Sequence, residues 1–319
     1  MTKVPGVRGN RRTGALALAA TIGFGVLTVG FGLLAVGCSA GTAVDRVNPL
    51  AADTTQPDIA VPMSAVTTDV VESGDEPLEQ LGPRLPAAVQ QRVVLQVGNE
   101  TKLRIGDTEE SNRSTVQLHI PLVATAAAGG VEVVVGDVTT DDENLRAAVG
   151  TLDGSHVRLN LSPAGAVTAL GLQADTSQSS VARAALERAF YQAAYQSITF
   201  PDRPIGVGAV WTIDQQMSPG LPLNQRTTAR LLARDGDLLT VAVDIAQSPR
   251  DRIWDLPGGT GALRVDDYTM TGHGQITVDL GLPLPVRGAV TVQGTQSYTA
   301  PSGGTTFYQA ISNEIRWGT

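Results

Sequence analysis

The chain has one cysteine, Cys38, and it closes a stretch of 24 residues, Thr13–Val36, that holds no charged side chain. The twelve residues ahead of that stretch carry Lys3, Arg8, Arg11 and Arg12 and no acid. A basic start, an apolar run and a small residue, Gly37, before a boundary describe an export signal. Wound as a helix, the run would measure about 36 Å at roughly 1.5 Å per residue, which is also enough to cross a bilayer. A single cysteine excludes an intrachain disulfide and any metal cluster built on several thiolates. Whatever follows Cys38 must hold together by burial and backbone pairing.

The run Leu34-Ala35-Val36-Gly37-Cys38 resembles a bacterial lipobox, with Ala35 where leucine is commoner. The resemblance implies that residues 1–37 are a lipoprotein signal peptide. It also implies that Cys38 is the lipid attachment site, carrying acyl chains such as palmitate, and the mature N-terminus. A retained transmembrane helix over the same residues is the alternative. Either reading places residues 39–319 on the extracytoplasmic face of a cell membrane. Residues 38–88 are rich in Thr, Asp, Pro and Ala without a sustained period, and they read as a flexible stalk.

Four of the 23 basic residues lie before Cys38, leaving 19 basic against 31 acidic residues in the remainder. An acidic exported domain is a poor match for nucleic acid, whose phosphates need clustered Lys or Arg.

From residue 89 onward the chain reads as a β-rich exported domain. Val116, Leu118, Ile120 and Leu122 alternate within a long strand, Thr115–Ala127. Further strands are expected at Arg92–Val97, Val131–Val138, His156–Leu161 and Ala166–Leu172. A second series follows at Val210–Gln215, Gln225–Ala233, Leu238–Ile245, Gln275–Leu280 and Ala289–Gly294, and Phe307–Trp317 is the last. Val181, Leu186, Ala189, Phe190 and Ala193 recur at helical spacing, which predicts one long amphipathic helix over about 176–198. Gly165-Ala166-Val167-Thr168 echoes Gly288-Ala289-Val290-Thr291, so the two series read as five-strand repeats joined by the helix. Short connections, including the Asp235-Gly236 turn, favour antiparallel neighbours. The expected class is α+β: a large curled antiparallel β-sheet, two five-strand repeats plus a final strand, with the helix packed on one face.

Phe200-Pro201-Asp202-Arg203-Pro204-Ile205-Gly206-Val207-Gly208-Ala209-Val210-Trp211 resembles a signature of an uncharacterised family of actinobacterial secreted lipoproteins. Thr271-Gly272-His273-Gly274-Gln275 resembles the second half of that pattern. The signal, stalk, long-stranded sheet and helix are together similar to bacterial lipoprotein carriers with half-barrel folds. That second likeness implies an apolar cavity for acyl chains, by architecture alone.

Catalytic motifs are not legible. There is no Gly-x-Ser-x-Gly elbow, phosphate loop or dinucleotide fingerprint. His119, His156 and His273 fall in or beside strands without metal spacing. His273, between two glycines, is the most interesting of them. Asp107, Glu109 and Glu110 form one acidic group, and Asp137, Asp141, Asp142 and Glu143 another; solvated loops are the expected role of both. Arg252–Gly259 carries Trp254 and reads as a loop over a satellite core, or as a lid. The expectation is a non-enzymatic lipoprotein without cofactor or metal, held to the membrane by its lipid and binding a lipid or other apolar ligand. A scaffolding module and a cell-wall hydrolase are the competing readings.

Overall fold

A computed structural model describes residues 60–319 apart from 109–110, 174–177, 219 and 257–260. Cys38, the signal segment and residues 39–59 lie outside the described residues. The elements are β1 (Ala60–Pro62), β2 (Val66–Glu72), β3 (Gln90–Ile105), β4 (Ser111–Ala127), β5 (Gly130–Val135), β6 (Thr139–Thr140), α1 (Glu143–Val149), β7 (His156–Leu161), β8 (Val167–Gln173) and α2 (Ser180–Tyr195). There follow β9 (Val210–Met217), β10 (Leu223–Asp235), β11 (Leu238–Pro249), β12 (Ile253–Asp255), β13 (Ala262–Asp279), β14 (Arg287–Thr299) and β15 (Thr306–Gly318).

All strands join one antiparallel sheet in the order β1-β8-β7-β5-β4-β3-β15-β14-β13-β11-β10-β9-β2, with β12 on β13 and β6 on β4. Its two edges belong to one short stretch of chain. Met63 N–H donates to the Thr168 carbonyl of β8 at 2.9 Å, and Val66 already pairs with Gln215 of β9. The three residue steps from Met63 to Val66 span at most about 11 Å. Laid flat, the eleven strands from β8 to β9 would be about 48 Å wide at roughly 4.8 Å per strand. The sheet must therefore curl until its edges meet, and the segment Ala60–Glu72 laces the seam. The ring that results is roughly 20 Å across between backbones.

The strands alternate as such a ring requires. On β4, Leu118, Ile120, Leu122, Ala124 and Ala126 are buried, and their odd-numbered neighbours Gln117, His119 and Pro121 are exposed. Inward residues of β3, β9, β10, β11, β14 and β15 meet those of β4 in one continuous core.

α2 lies against the inner face. Gln192 Nε2 donates to Asn99 Oδ1 of β3 at 2.7 Å, and the Tyr195 carbonyl at the helix end accepts from Gln215 of β9 and Gln225 of β10. Since β3 stands far from β9 and β10 along the sheet, the helix crosses the ring like a chord.

The expected α+β fold is corrected. Among the described residues the protein is mostly antiparallel β, with two short helices and no long amphipathic helix. α2 has 16 residues rather than the span 176–198, and its exposed residues all belong to its first turn; from Ala184 to Tyr195 every residue is at least partly covered. An amphipathic surface helix needs a wet face, whereas this one meets the sheet with its apolar and its polar sides. The two strand series are not equivalent repeats. β5, β7 and β8 have 6, 6 and 7 residues, while β11, β13 and β14 have 12, 18 and 13. Part of the expected stalk, Ala60–Glu72, belongs to the sheet, and Leu81 beyond it is buried.

Trp211 shows how the chain leaves the helix. It is fully buried on β9, stacks on Phe200 with centroids 6.2 Å apart, and its indole N–H donates to the Thr199 carbonyl at 2.9 Å. Pro201 and Pro204 keep the intervening chain out of helix. Gly206 then passes against the segment before the sheet so closely that a Cβ would lie 1.8 Å from the Asp75 carbonyl oxygen. Trp211→Ala should cost about 3–5 kcal/mol, the usual range for a buried aromatic. Urea unfolding followed by far-UV dichroism will show this as a lowered midpoint at unchanged slope.

Candidate functional site

A ring of this width is not filled by one helix about 10–12 Å thick. Space remains beneath α2, at the end of the ring where β9 begins and β15 ends. Leu161 and Val167 come from the β7–β8 hairpin, Phe190 and Ala194 from the lower side of α2, Leu284 from the β13–β14 connection and Trp317 from the end of β15. They enclose a groove whose volume, taken as space for the centres of water-sized spheres, is about 100 Å³. Counting all atom-free space out to the solvent at its mouth, the figure is about 850 Å³. Its polar side chains are Ser197 and Asp279, and the Asp279 carboxylate is occupied by the Gly281 N–H at 2.9 Å. Pro83 and Leu85, which follow the seam segment, complete the wall.

A second hollow of about 230 Å³ lies around Arg92, Val94, Pro121 and Val123. It is larger by the same measure but more open, and its lining mixes buried Val93 and Leu122 with exposed Arg92 and Pro121. The groove beneath α2 is the better receptacle, because it is walled by side chains of the core itself.

Above the helix the inner face changes character. Tyr268 of β13 donates its hydroxyl to Gln247 Oε1 of β11 at 3.3 Å. Gln247 Nε2 donates to Gln225 Oε1 of β10 at 2.8 Å, and Gln225 Nε2 to the Tyr195 carbonyl at 2.8 Å. Gln215 Nε2 donates to the same carbonyl at 2.7 Å, and Tyr195 closes the cluster by donating its hydroxyl to the Ser218 carbonyl at 2.6 Å. The last carbonyls of a helix have no partner within it, so these amides cap the C-terminus of α2 from the sheet. Burial pushes the Tyr268 and Tyr298 hydroxyls well above the ordinary phenol range, and Tyr298 adds to the rise at Tyr268. Both stay protonated and able to donate at any physiological pH.

The histidines are separated. His119, His156 and His273 are all exposed. His273 shares a rung with Asp244 and Thr291 on the outside of the sheet. The glycines beside it matter more: Gly272 and Gly274 face inward, and a Cβ on either would come within 2.8 Å of β14. Asp107, Asp137, Asp141 and Glu143 are exposed, Asp142 caps α1 through the Asn144 N–H at 2.8 Å, and Glu109 and Glu110 lie outside the described residues. Among the described residues no three metal-ligating side chains converge. Trp254 sits on β12 and packs with Leu263, Val265 and Tyr298 in a small second core, its ring 5.8 Å from that of Tyr298. The buried glutamines were not legible from sequence. In a strand pattern a glutamine on the inner face looks like a lapse of alternation, and only strand register shows that three of them align.

No protein-family model matches the sequence, and no curated protein is similar to it.

Gln225→Leu keeps the volume but leaves Gln247 Nε2 with only the weak Met217 sulfur acceptor and empties one acceptor site on the Tyr195 carbonyl. The expected loss is about 1–3 kcal/mol, the cost of an unsatisfied buried polar group, measured as a shift in the urea midpoint. A change within a few tenths of a kcal/mol would show that the cluster does not anchor the helix.

Proposed function

We propose that the chain is a membrane-tethered envelope lipoprotein whose β domain binds an apolar ligand, such as an acyl chain, in the groove beneath α2. One observation carries the reading: the space left between helix and ring is lined almost wholly by aliphatic and aromatic side chains. A groove of this lining releases water when an apolar group enters, at about 25 cal/mol for each Å² removed from water. Its enclosed space, about 100 Å³, suits a slender apolar group such as part of an acyl chain rather than a bulky ligand. The N-terminal pattern supports the placement. A lipid on Cys38 would hold the groove near the membrane that supplies such ligands.

The groove is tested by filling it. Val167→Phe and Ala194→Leu add bulk to opposite walls. With a polyene fatty acid whose emission rises in apolar surroundings, the unaltered chain should give a saturable increase, and each variant at least a tenfold weaker one. Circular dichroism must show both variants folded. Equal binding by all three proteins would exclude the groove as the site.

The anchor is tested separately. Cys38→Ser should abolish an acyl adduct seen by mass spectrometry in the native protein and release the chain from the membrane fraction. Unchanged mass and unchanged retention would overturn the lipid anchor in favour of a retained helix.

A further inference from the structure

Most polar groups inside the ring are paired, which makes the exceptions conspicuous. Arg188 on α2 is half-buried, and among the described residues no carboxylate, carbonyl or ring partners its guanidinium. Burial draws its pKa below the ordinary value, the signature of a cation with its water stripped and nothing supplied in exchange. One helical turn on, Gln192 spends its Nε2 on Asn99 and leaves Oε1 buried and unbonded. Gln196, a turn further, also has a buried, unbonded Oε1. Across from them, Asn99 is paired in register with Asn313 of β15, whose Oδ1 is buried and unbonded. Gln309, on the same face of β15 and 3% exposed, has an unbonded Oε1 as well.

Leaving a buried acceptor unmade is destabilising, and leaving a desolvated cation unpaired is more so. Here a cation that lacks an anion begins the stripe Arg188-Gln192-Gln196, two further members of the stripe carry acceptors that lack donors, and the Gln192 amide leads through Asn99 to a third, on Asn313. Water can serve the amides and part of the guanidinium, but an anion matches a partly desolvated guanidinium better. A ligand that meets both carries one negative group beside several hydroxyls.

We propose that Arg188, Gln192, Gln196 and Asn313 form a binding site for a hydroxyl-bearing anion of the polyol phosphate or sugar acid class. The guanidinium takes the phosphate or carboxylate as a two-pronged donor, and ligand hydroxyls donate to the amide oxygens. The site belongs to the polar side of α2 and does not depend on what fills the groove beneath. The same chemistry is offered by a free solute and by the headgroup of an anionic lipid.

Thermal unfolding of the full chain in a neutral detergent separates the possibilities. The probes are glycerol 3-phosphate, gluconate, inorganic phosphate, and micelles doped with phosphatidylglycerol or phosphatidylcholine. The unaltered chain should gain several degrees with glycerol 3-phosphate or gluconate and less with inorganic phosphate, which lacks carbon-borne hydroxyls. A response to phosphatidylglycerol alone, absent with phosphatidylcholine, also supports the site and assigns the anion to a lipid headgroup. Arg188→Met keeps most of the aliphatic stem and removes the charge. It should melt above the unaltered chain in probe-free buffer and lose the probe-dependent gain. Gln192→Leu should weaken the response to the hydroxylated probes at least fivefold while leaving that to inorganic phosphate. Absence of a gain with any probe, or an equal gain in Arg188→Met, overturns the proposal. The groove variants Val167→Phe and Ala194→Leu should keep the anion response, so failure of the apolar reading and failure of this one are told apart.

Discussion

The closure of the sheet is the constraint from which the rest follows. Eleven strands curl until β8 and β9 are separated only by what Met63–Val66 can span, and the interior so defined is wider than one helix. A ring with no buried filler would flood or collapse, since interiors of proteins are packed close to the density of organic crystals. α2 is the filler, and its diameter decides how much is left over. The groove beneath it and the amide cluster above it are the two remainders.

The two remainders differ because α2 presents different chemistry to each. Its Phe190–Ala193–Ala194 side is apolar and faces an apolar wall, so nothing there needs a hydrogen bond. Its other side carries Arg188, Gln192 and Gln196, Gln192 bonds Asn99 of β3, and the Tyr195 carbonyl at its end is met by inward Gln215 of β9 and Gln225 of β10. Gln215, Gln225 and Gln247 are adjacent in register, which is why one carbonyl at the end of α2 can collect two amides and a third can support them. Buried amides that are fully paired specify one arrangement of the helix in the ring, where a purely apolar wall would let it slide.

Sequence reading works where a strand has one wet and one dry face of ordinary composition. Thr115–Ala127 and His156–Leu161 lie within a few residues of β4 and β7, because their aliphatic residues recur at every second position, and Phe307–Trp317 falls within β15 although Gln309 and Asn313 interrupt its apolar inner face. It fails where the inner face is not aliphatic. The first half of β13 places Tyr268, Met270, Gly272 and Gly274 inward, so only its Gln275–Leu280 end looked like a strand. β1 and β2 were read as stalk for a related reason: they are seam strands with few buried residues, and composition alone resembles a linker. The helix was misjudged in character. Periodicity shows which side of a helix is apolar, but not that the polar side is buried too.

The seam also reaches the groove. The chain that laces β8 to β9 runs on through Gly74, packed against Gly206, to Glu79, whose carboxylate meets Arg234 at 2.5 Å. That ion pair holds the Glu79 carboxyl below its usual range, with Arg84 adding a weaker pull and bonding Asp237 at 3.2 Å. Pro83 and Leu85 then enter the groove wall. A single stretch, Ala60–Leu85, thus closes the ring, is clamped to the β10–β11 end and supplies part of the groove lining. The clamp pairs are largely exposed and individually weak, so the stretch is held mainly by its strand hydrogen bonds and by buried Leu81. Closure of the ring and integrity of the groove are therefore one structural property, set by the segment Ala60–Leu85.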